Sequence, residues 1–133
     1  MYPMFAKVLR INSFLAAAAL AASVLWPAVS RASELVMFEQ GGCVWCARWN
    51  RDVGPVYDKT AEAKTLPLRR IDIDQQSAAG ITLAAPVRYT PTFVVVDNGR
   101  EIGRITGYIN DEAFWGLLDA LAAKLEAPPA PKI

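Results

Sequence analysis

The chain has 133 residues, a formal net charge of +1, no histidine and only two cysteines. That length suits one domain. The missing histidine excludes His-based metal sites, Ser-His and Cys-His nucleophilic systems and imidazole proton shuttles.

The first 32 residues stand apart from that domain. Lys7 and Arg10 supply a positive start, Ile11 to Leu25 is almost wholly apolar, and Trp26-Pro27 breaks the run. Ser30-Arg31-Ala32 fits the small-x-small pattern of a cleavage site. Residues 1–32 therefore read as a signal peptide cleaved near Ala32/Ser33, which places the mature chain in the periplasm. No twin arginine is present, which favours the general secretory route. The alternative is an uncleaved membrane anchor, although the apolar run is short beside the roughly 20 residues a span needs. Lys7, Arg10 and Arg31 would leave with this segment, so eleven basic side chains remain against 13 acidic ones, a net charge of −2. That balance argues against a nucleic-acid or anionic-membrane surface. About 100 residues remain, enough for one packed core.

Glu34 to Phe38 is a short apolar run and reads as a buried strand. Gln40-Gly41-Gly42 forms a turn, and Cys43 opens a helix with Trp45, Trp49 and Val53 at intervals of four. Gly54-Pro55 should kink or briefly break this helix, which resumes through Tyr57 to Lys64. Leu66 to Ile73 alternates from Leu68 and predicts a second strand, parallel to the first because a helix separates them. Residues 75–88 suit a short helix and an irregular loop. Thr92 to Asp97 is the strongest strand signal, and Arg100 to Tyr108 is its partner. Asn98-Gly99 between them predicts a hairpin, because a type I′ turn needs positive φ at both central residues. Asn110 or Asp111 caps the last helix, with Phe114, Leu117, Leu118, Leu121 and Leu125 on one face. Residues 127–133 form a disordered Pro-rich tail. The order β-α-β-α-β-β-α implies an α/β domain over 33–126: a mixed sheet with helices on both faces.

The chemistry concentrates in Gly42-Cys43-Val44-Trp45-Cys46. Residues i and i+3 on a helix bring their Cα atoms to roughly 5–5.5 Å, which a disulfide tolerates. At the helix N-terminus, Cys43 would meet unpaired backbone N–H groups and the positive end of the helix dipole, both of which favour a thiolate. Cys46 lies one turn further in. Cys43 would then attack a partner disulfide, and Cys46 would resolve the mixed disulfide. A purely structural disulfide is the competing reading, but so small a loop stabilises little. A zinc site would need two more thiol or imidazole ligands. Haem attachment would need a histidine where Ala47 stands. Trp45, between the cysteines, either faces substrate or simply packs. Trp49 and Trp115 read as packing residues. Arg48, Arg51, Arg69 and Arg70 form either a local basic patch or, better, a solvated face. Pro91, in Tyr89-Thr90-Pro91-Thr92, stands at the head of a strand, where its missing donor is tolerated.

Together, the strand–CxxC–helix unit, the later Thr-Pro opening a Val-rich strand, the Asn-Gly hairpin, Gly107 and the terminal amphipathic helix resemble the thioredoxin superfamily over about residues 34–126. The resemblance implies a cis Thr90–Pro91 bond facing Cys43, with backbone near Thr90 binding an extended substrate segment. Three positions depart from the family. Met37 stands where many thioredoxins carry a buried Asp, which makes Glu39 the nearest candidate proton acceptor; its alternative is a solvated strand-end carboxylate. Gly42 replaces the usual Trp, and Val44-Trp45 the usual Gly-Pro. The run Phe38 to Trp49 is similar to the small periplasmic thioredoxins of the Sox sulfur-oxidation system.

The resemblance implies a monomeric thiol–disulfide oxidoreductase without cofactor, metal or nucleic acid. It would reduce a specific periplasmic protein disulfide, such as that of a sulfur carrier, with electrons from a membrane thiol carrier. The alternatives are a disulfide oxidase or isomerase, and a non-catalytic binding or Cu(I)-carrier module.

Overall fold

The computed structural model describes residues 33–127. The expected signal peptide, and the tail beyond Ala127, lie outside the described residues. Among the described residues, four strands form one mixed sheet in the order β2-β1-β3-β4. They are β1 (Glu34–Glu39), β2 (Leu68–Asp72), β3 (Thr92–Asp97) and β4 (Arg100–Thr106). β1 runs parallel to β2 and antiparallel to β3, and β3 runs antiparallel to β4.

Central strands buried on both faces need continuous apolar runs, and β1 and β3 have them. Leu35, Met37, Phe93 and Val95 point to one face; Val36, Phe38, Val94 and Val96 point to the other. The first face packs against α1 (Val44–Asp52) and α4 (Asp111–Glu126) through Trp49, Val53, Phe114, Leu118 and Leu121. The second is covered by a 3-10 helix (Ile73–Ala78) and the loop after it, which contribute Ile73, Ile81, Leu83 and Val87. That loop is pinned by polar bonds. The Gln76 side chain accepts from the Val87 N–H at 2.8 Å and donates to the Val87 carbonyl at 3.0 Å. Glu101 accepts from the Ala84 N–H at 2.7 Å and pairs with Arg104 at 2.6 Å.

The predicted long helix is three pieces: α1, α2 (Gly54–Tyr57) and α3 (Ala61–Thr65). The break falls before the Gly-Pro pair. Val53 still donates to the Trp49 carbonyl at 2.8 Å. Pro55 has no N–H to carry the ladder on, so the chain restarts with Pro55 in the first turn of α2. Thr60 then caps α3, accepting from the Ala63 N–H at 3.3 Å.

The predicted second strand shortens at both ends. Pro67 lacks a ladder donor, and Ile73 opens the 3-10 helix. The hairpin has positive φ at Asn98 (49°) and Gly99 (78°), the signs of a type I′ turn. β4 stops at Thr106 rather than Tyr108, because Gly107 turns the chain at φ 85°. Within β4 the register shifts: Val95 faces Gly103 and Val96 faces Glu101, leaving Ile102 as the extra residue of a bulge. Asn110 caps α4, accepting from the Ala113 N–H at 2.8 Å. Of the residues expected on the inner face of α4, Leu117 is 49% exposed. The sheet is met instead by Phe114, Leu118 and Leu121, with Leu125 half-buried beside them.

Candidate functional site

β1 delivers the chain to a turn at Gln40–Gly42, where the Cys43 N–H donates to the Gln40 carbonyl at 3.3 Å and Gly42 adopts φ 76°. Cys43 is the N-cap of α1. Its backbone is extended, and its Sγ accepts from the Cys46 N–H at 3.1 Å. That bond is the one a capping Ser or Asp oxygen makes, so the sulfur sits against the orphan donors of the helix. The first turn carries no acidic side chain. Cys43 and Cys46 form a disulfide with a Cα–Cα separation of 5.2 Å. Cys43 is half-buried, whereas Cys46 is only 4% exposed.

The Thr90–Pro91 peptide bond is cis. Strand register brings this segment to the same end of the sheet as the cysteines. Thr92 pairs with Phe38 near the end of β1, and with Thr106 at the end of β4. The Gly107 N–H donates to the Pro91 carbonyl at 2.7 Å, and the Thr92 hydroxyl donates to the Tyr89 carbonyl at 2.7 Å. Three segments therefore meet here: the turn into α1, the Thr90-Pro91 loop and the Gly107–Ile109 loop. Each holds apolar side chains in solvent: Val44 and Trp45 at 74% and 51% exposure, Tyr89 at 66%, and Ile109 at 73%.

Trp49 and Trp115 pack, as their positions predict. Trp49 is fully buried among Tyr57, Phe93 and Phe114, with ring centroids at 6.2, 5.2 and 5.6 Å. Its Nε1 has no hydrogen-bond partner among the described residues. Trp115 stacks on Tyr57 with an interplanar angle of 6°. The Tyr57 hydroxyl donates to the Leu66 carbonyl at 2.7 Å, and burial holds its pKa well above the ordinary value.

Met37 is fully buried on the α1 face of the sheet. β1 stays regular to its end, which puts Glu39 on the same face as Met37. The Glu39 carboxylate pairs with Arg70 at 3.3 Å. Arg70 also lies 3.6 Å from the Met37 sulfur, donates to the Asn50 side chain, and places its guanidinium 5.6 Å from the Trp49 ring centre. The four arginines do not gather into a basic patch. Arg48 and Arg51 both approach Asp52 at 3.7 Å, Arg69 binds Glu34 at 2.6 Å, and Arg70 binds Glu39.

Two features of this end escaped the sequence reading. Arg48 lies over the Trp45 ring at 5.7 Å, and the Tyr108 hydroxyl donates to Asp52 at 3.1 Å. The i, i+3, i+7 spacing of Trp45, Arg48 and Asp52 was a legible signal for the first. Nothing in the sequence points to the second, whose partners are 56 residues apart.

A thioredoxin-like domain model matches residues 30–122. The chain belongs to the thioredoxin-like family. It is 39% identical to the periplasmic thioredoxin SoxS from Paracoccus pantotrophus, covering 70% of this chain and 98% of that one with a TM-score of 0.67. It is 26% identical to a mutant thioredoxin from Halobacterium salinarum NRC-1, over 73% and 78% of the two chains, TM-score 0.51. Trxlp from Edwardsiella tarda EIB202 shares the fold at 24% identity, over 67% and 84%, TM-score 0.54. No curated protein sequence matches the chain. Family membership together with the bonded CxxC pair makes this thioredoxin-like protein a thiol–disulfide oxidoreductase.

Proposed function

We propose that the protein is exported, loses residues 1–32, and reduces the disulfide of a specific periplasmic partner. The observation that carries this reading is the asymmetry of the pair. Cys43 is half-buried and bonded through sulfur to the Cys46 N–H at 3.1 Å, while Cys46 is buried. A thiolate on Cys43 is stabilised by that N–H and by the helix dipole, and it is the more accessible nucleophile.

Reduction then runs in two exchanges. The Cys43 thiolate attacks one sulfur of the partner disulfide; that S–S bond breaks, a Cys43–partner bond forms, and the leaving sulfur takes up a proton. Cys46 loses its proton and attacks the Cys43 sulfur, which releases the second partner thiol and closes Cys43–Cys46. Two electrons pass from the pair to the partner, and a membrane thiol carrier restores them. Glu39 is the candidate acceptor for the Cys46 proton. Its support is its place on the Met37 face of β1, the face that packs against the cysteine helix. Thr90 and Pro91 bind the partner backbone at the same end of the sheet, and Trp45 faces the partner at 51% exposure. The likeness to a periplasmic thioredoxin supports export, and the similarity of the run Phe38 to Trp49 to the Sox thioredoxins is the support for a sulfur-carrier protein as the partner.

Insulin-disulfide reduction with dithiothreitol tests the enzyme. The wild type should exceed a Cys43→Ser control, and equality would sink the reading. A Cys46→Ser variant should trap one predominant mixed disulfide from periplasmic extract; a nonspecific mixture would remove the dedicated partner. Val44-Trp45 places no cationic donor between the sulfurs, which favours reduction. A potential for the pair near about −120 mV, typical of a strong oxidant, would reverse the direction.

A further inference from the structure

Trp45, Arg48 and Asp52 lie along one stripe of α1, at i, i+3 and i+7. The Arg48 guanidinium carbon is 5.7 Å from the Trp45 ring centre, and its Nε is 3.7 Å from Asp52 Oδ2. The stripe continues off the helix. The Tyr108 hydroxyl donates to the same Asp52 oxygen at 3.1 Å. Tyr108 follows Gly107, whose N–H donates to the Pro91 carbonyl at 2.7 Å. A string of contacts thus joins the exposed indole beside the cysteines to the cis Thr90–Pro91 segment. Tyr108 is buried, and burial together with its bond to Asp52 pushes its pKa up to about 12. Its hydroxyl therefore remains a donor at every physiological pH.

The indole has no core to hold it, being 51% exposed at the first turn of a helix. A free aromatic side chain there would have to be ordered at each binding event, which weakens binding. Arg48 supplies the order beforehand through a cation–π contact. Asp52 orients Arg48, and Tyr108 orients Asp52.

We propose that Arg48 is a specificity-determining positioning residue: it holds the Trp45 indole as a ready-made wall for the polypeptide around a partner disulfide. Arg48 acts through Trp45. The inference rests on the reading of Trp45 as substrate-facing given above. Its signature is selective. Binding of a macromolecular disulfide depends on Arg48, and reaction with a small disulfide that does not span Trp45 does not.

The test is steady-state kinetics of the mature chain with insulin, driven by dithiothreitol, set beside single-turnover oxidation of the pre-reduced, reductant-free chain by 5,5′-dithiobis(2-nitrobenzoate). Arg48→Gln should raise the insulin KM about two- to fivefold, the range of one cation–π contact. The insulin kcat and the rate with the small disulfide should stay within about twofold of wild type. Arg48→Lys, which keeps the cation, should recover most of the loss. Tyr108→Phe, which frees Asp52, should raise the insulin KM less. The pH profile of Cys43 alkylation by iodoacetamide should not move in Arg48→Gln. An unchanged insulin KM in Arg48→Gln, or no rescue by Lys, overturns the inference and leaves the proposed function standing. An equal loss with both disulfides, together with a shifted alkylation profile, overturns it by showing that the charge acts on the sulfur. A wild type no better than Cys43→Ser overturns the proposed function and this inference with it.

Discussion

Where β1 begins, polar groups close on one another. Glu34 accepts two bonds from Arg69, at 2.6 and 3.0 Å, and Arg69 also donates to the Ala79 carbonyl at 3.0 Å. The Ser33 hydroxyl reaches Asp97 at 2.8 Å. These groups surround an open cleft of about 360 Å3 lined by Ser33, Glu34, Pro67, Arg69, Ala79, Gly80 and Gly99. Where β1 stops, the ion pairs are looser, at 3.3 Å for Glu39–Arg70 and 3.7 Å for Arg48–Asp52, and Val44, Trp45, Tyr89 and Ile109 stand in solvent. Under the proposed function, the contrast assigns partner docking to the second end. A polar group already satisfied within the chain gains little from a partner, whereas an exposed apolar side chain gains its full desolvation only on docking. The same two buried strands, β1 and β3, span both ends. One end can therefore stay rigid while the other is left open.

The largest effect should come from the residue that ties the cysteine helix to those shared strands. Trp49→Ala should cost about 3–5 kcal/mol in urea unfolding, the usual range for a buried Trp. A loss below about 1 kcal/mol would show that α1 does not depend on its packing against Phe93 and Phe114. At the open end, the Cys43 sulfur is also a cap. In fully reduced protein, Cys43→Ala should lose about 1 kcal/mol while Cys43→Ser stays close to wild type, because only Ser keeps an acceptor for the Cys46 N–H. Equal stabilities would remove the sulfur from the role of cap. At the closed end, Glu34→Gln should cost about 0.5–1 kcal/mol, a half-exposed pair being weak. Insulin reduction should be unaffected; a fall in its rate would break the separation of the two ends.

The smallest effect should be read in acid, away from both ends. Burial alone would raise the pKa of Glu101, but the Arg104 hydrogen bond, the Ala84 N–H and the guanidinium charge together hold it below the ordinary carboxylate value. A depressed folded pKa stabilises the fold above the unfolded value, and this stabilisation is lost as pH falls through the folded value. Unfolding followed by circular dichroism should show stability declining below the ordinary carboxylate range. Glu101→Gln should flatten that decline, and an unchanged acid limb would remove Glu101 from it.

The elements with strong local signals match the structure closely. β3 spans Thr92–Asp97 as its Val run predicts, Asn98-Gly99 turns with positive φ at both residues, and Asn110 caps α4. Local signals mislead where two elements compete for one surface. Leu117 satisfies the apolar spacing of α4, yet it lies at the edge of the stripe that meets the sheet and is left half-exposed. Gly54-Pro55 announces a break, but the path of the chain beyond it depends on Tyr57 and Thr60. The Thr60 hydroxyl donates to the Tyr57 carbonyl at 2.6 Å, and the Thr60 side chain caps a new short helix. The bulge at Ile102 has no mark in the sequence. It accompanies the close approach of α4, where a Cβ on Gly103 would collide with Leu121 Cδ2.

The chemistry of this protein is already set in its primary structure. Two cysteines at i and i+3, a turn before them and no histidine anywhere favour thiol–disulfide exchange over the structural disulfide that the same spacing allows. Helix geometry alone brings such a pair within bonding distance. The surroundings of the pair are set by tertiary structure alone. Arg70 comes to Met37 and Trp49 across the register of β2 against β1, and Tyr108 comes to Asp52 from the loop after β4. Contacts between residues far apart in the chain depend on which strands are neighbours and in what register, and spacing along a single segment carries no record of either.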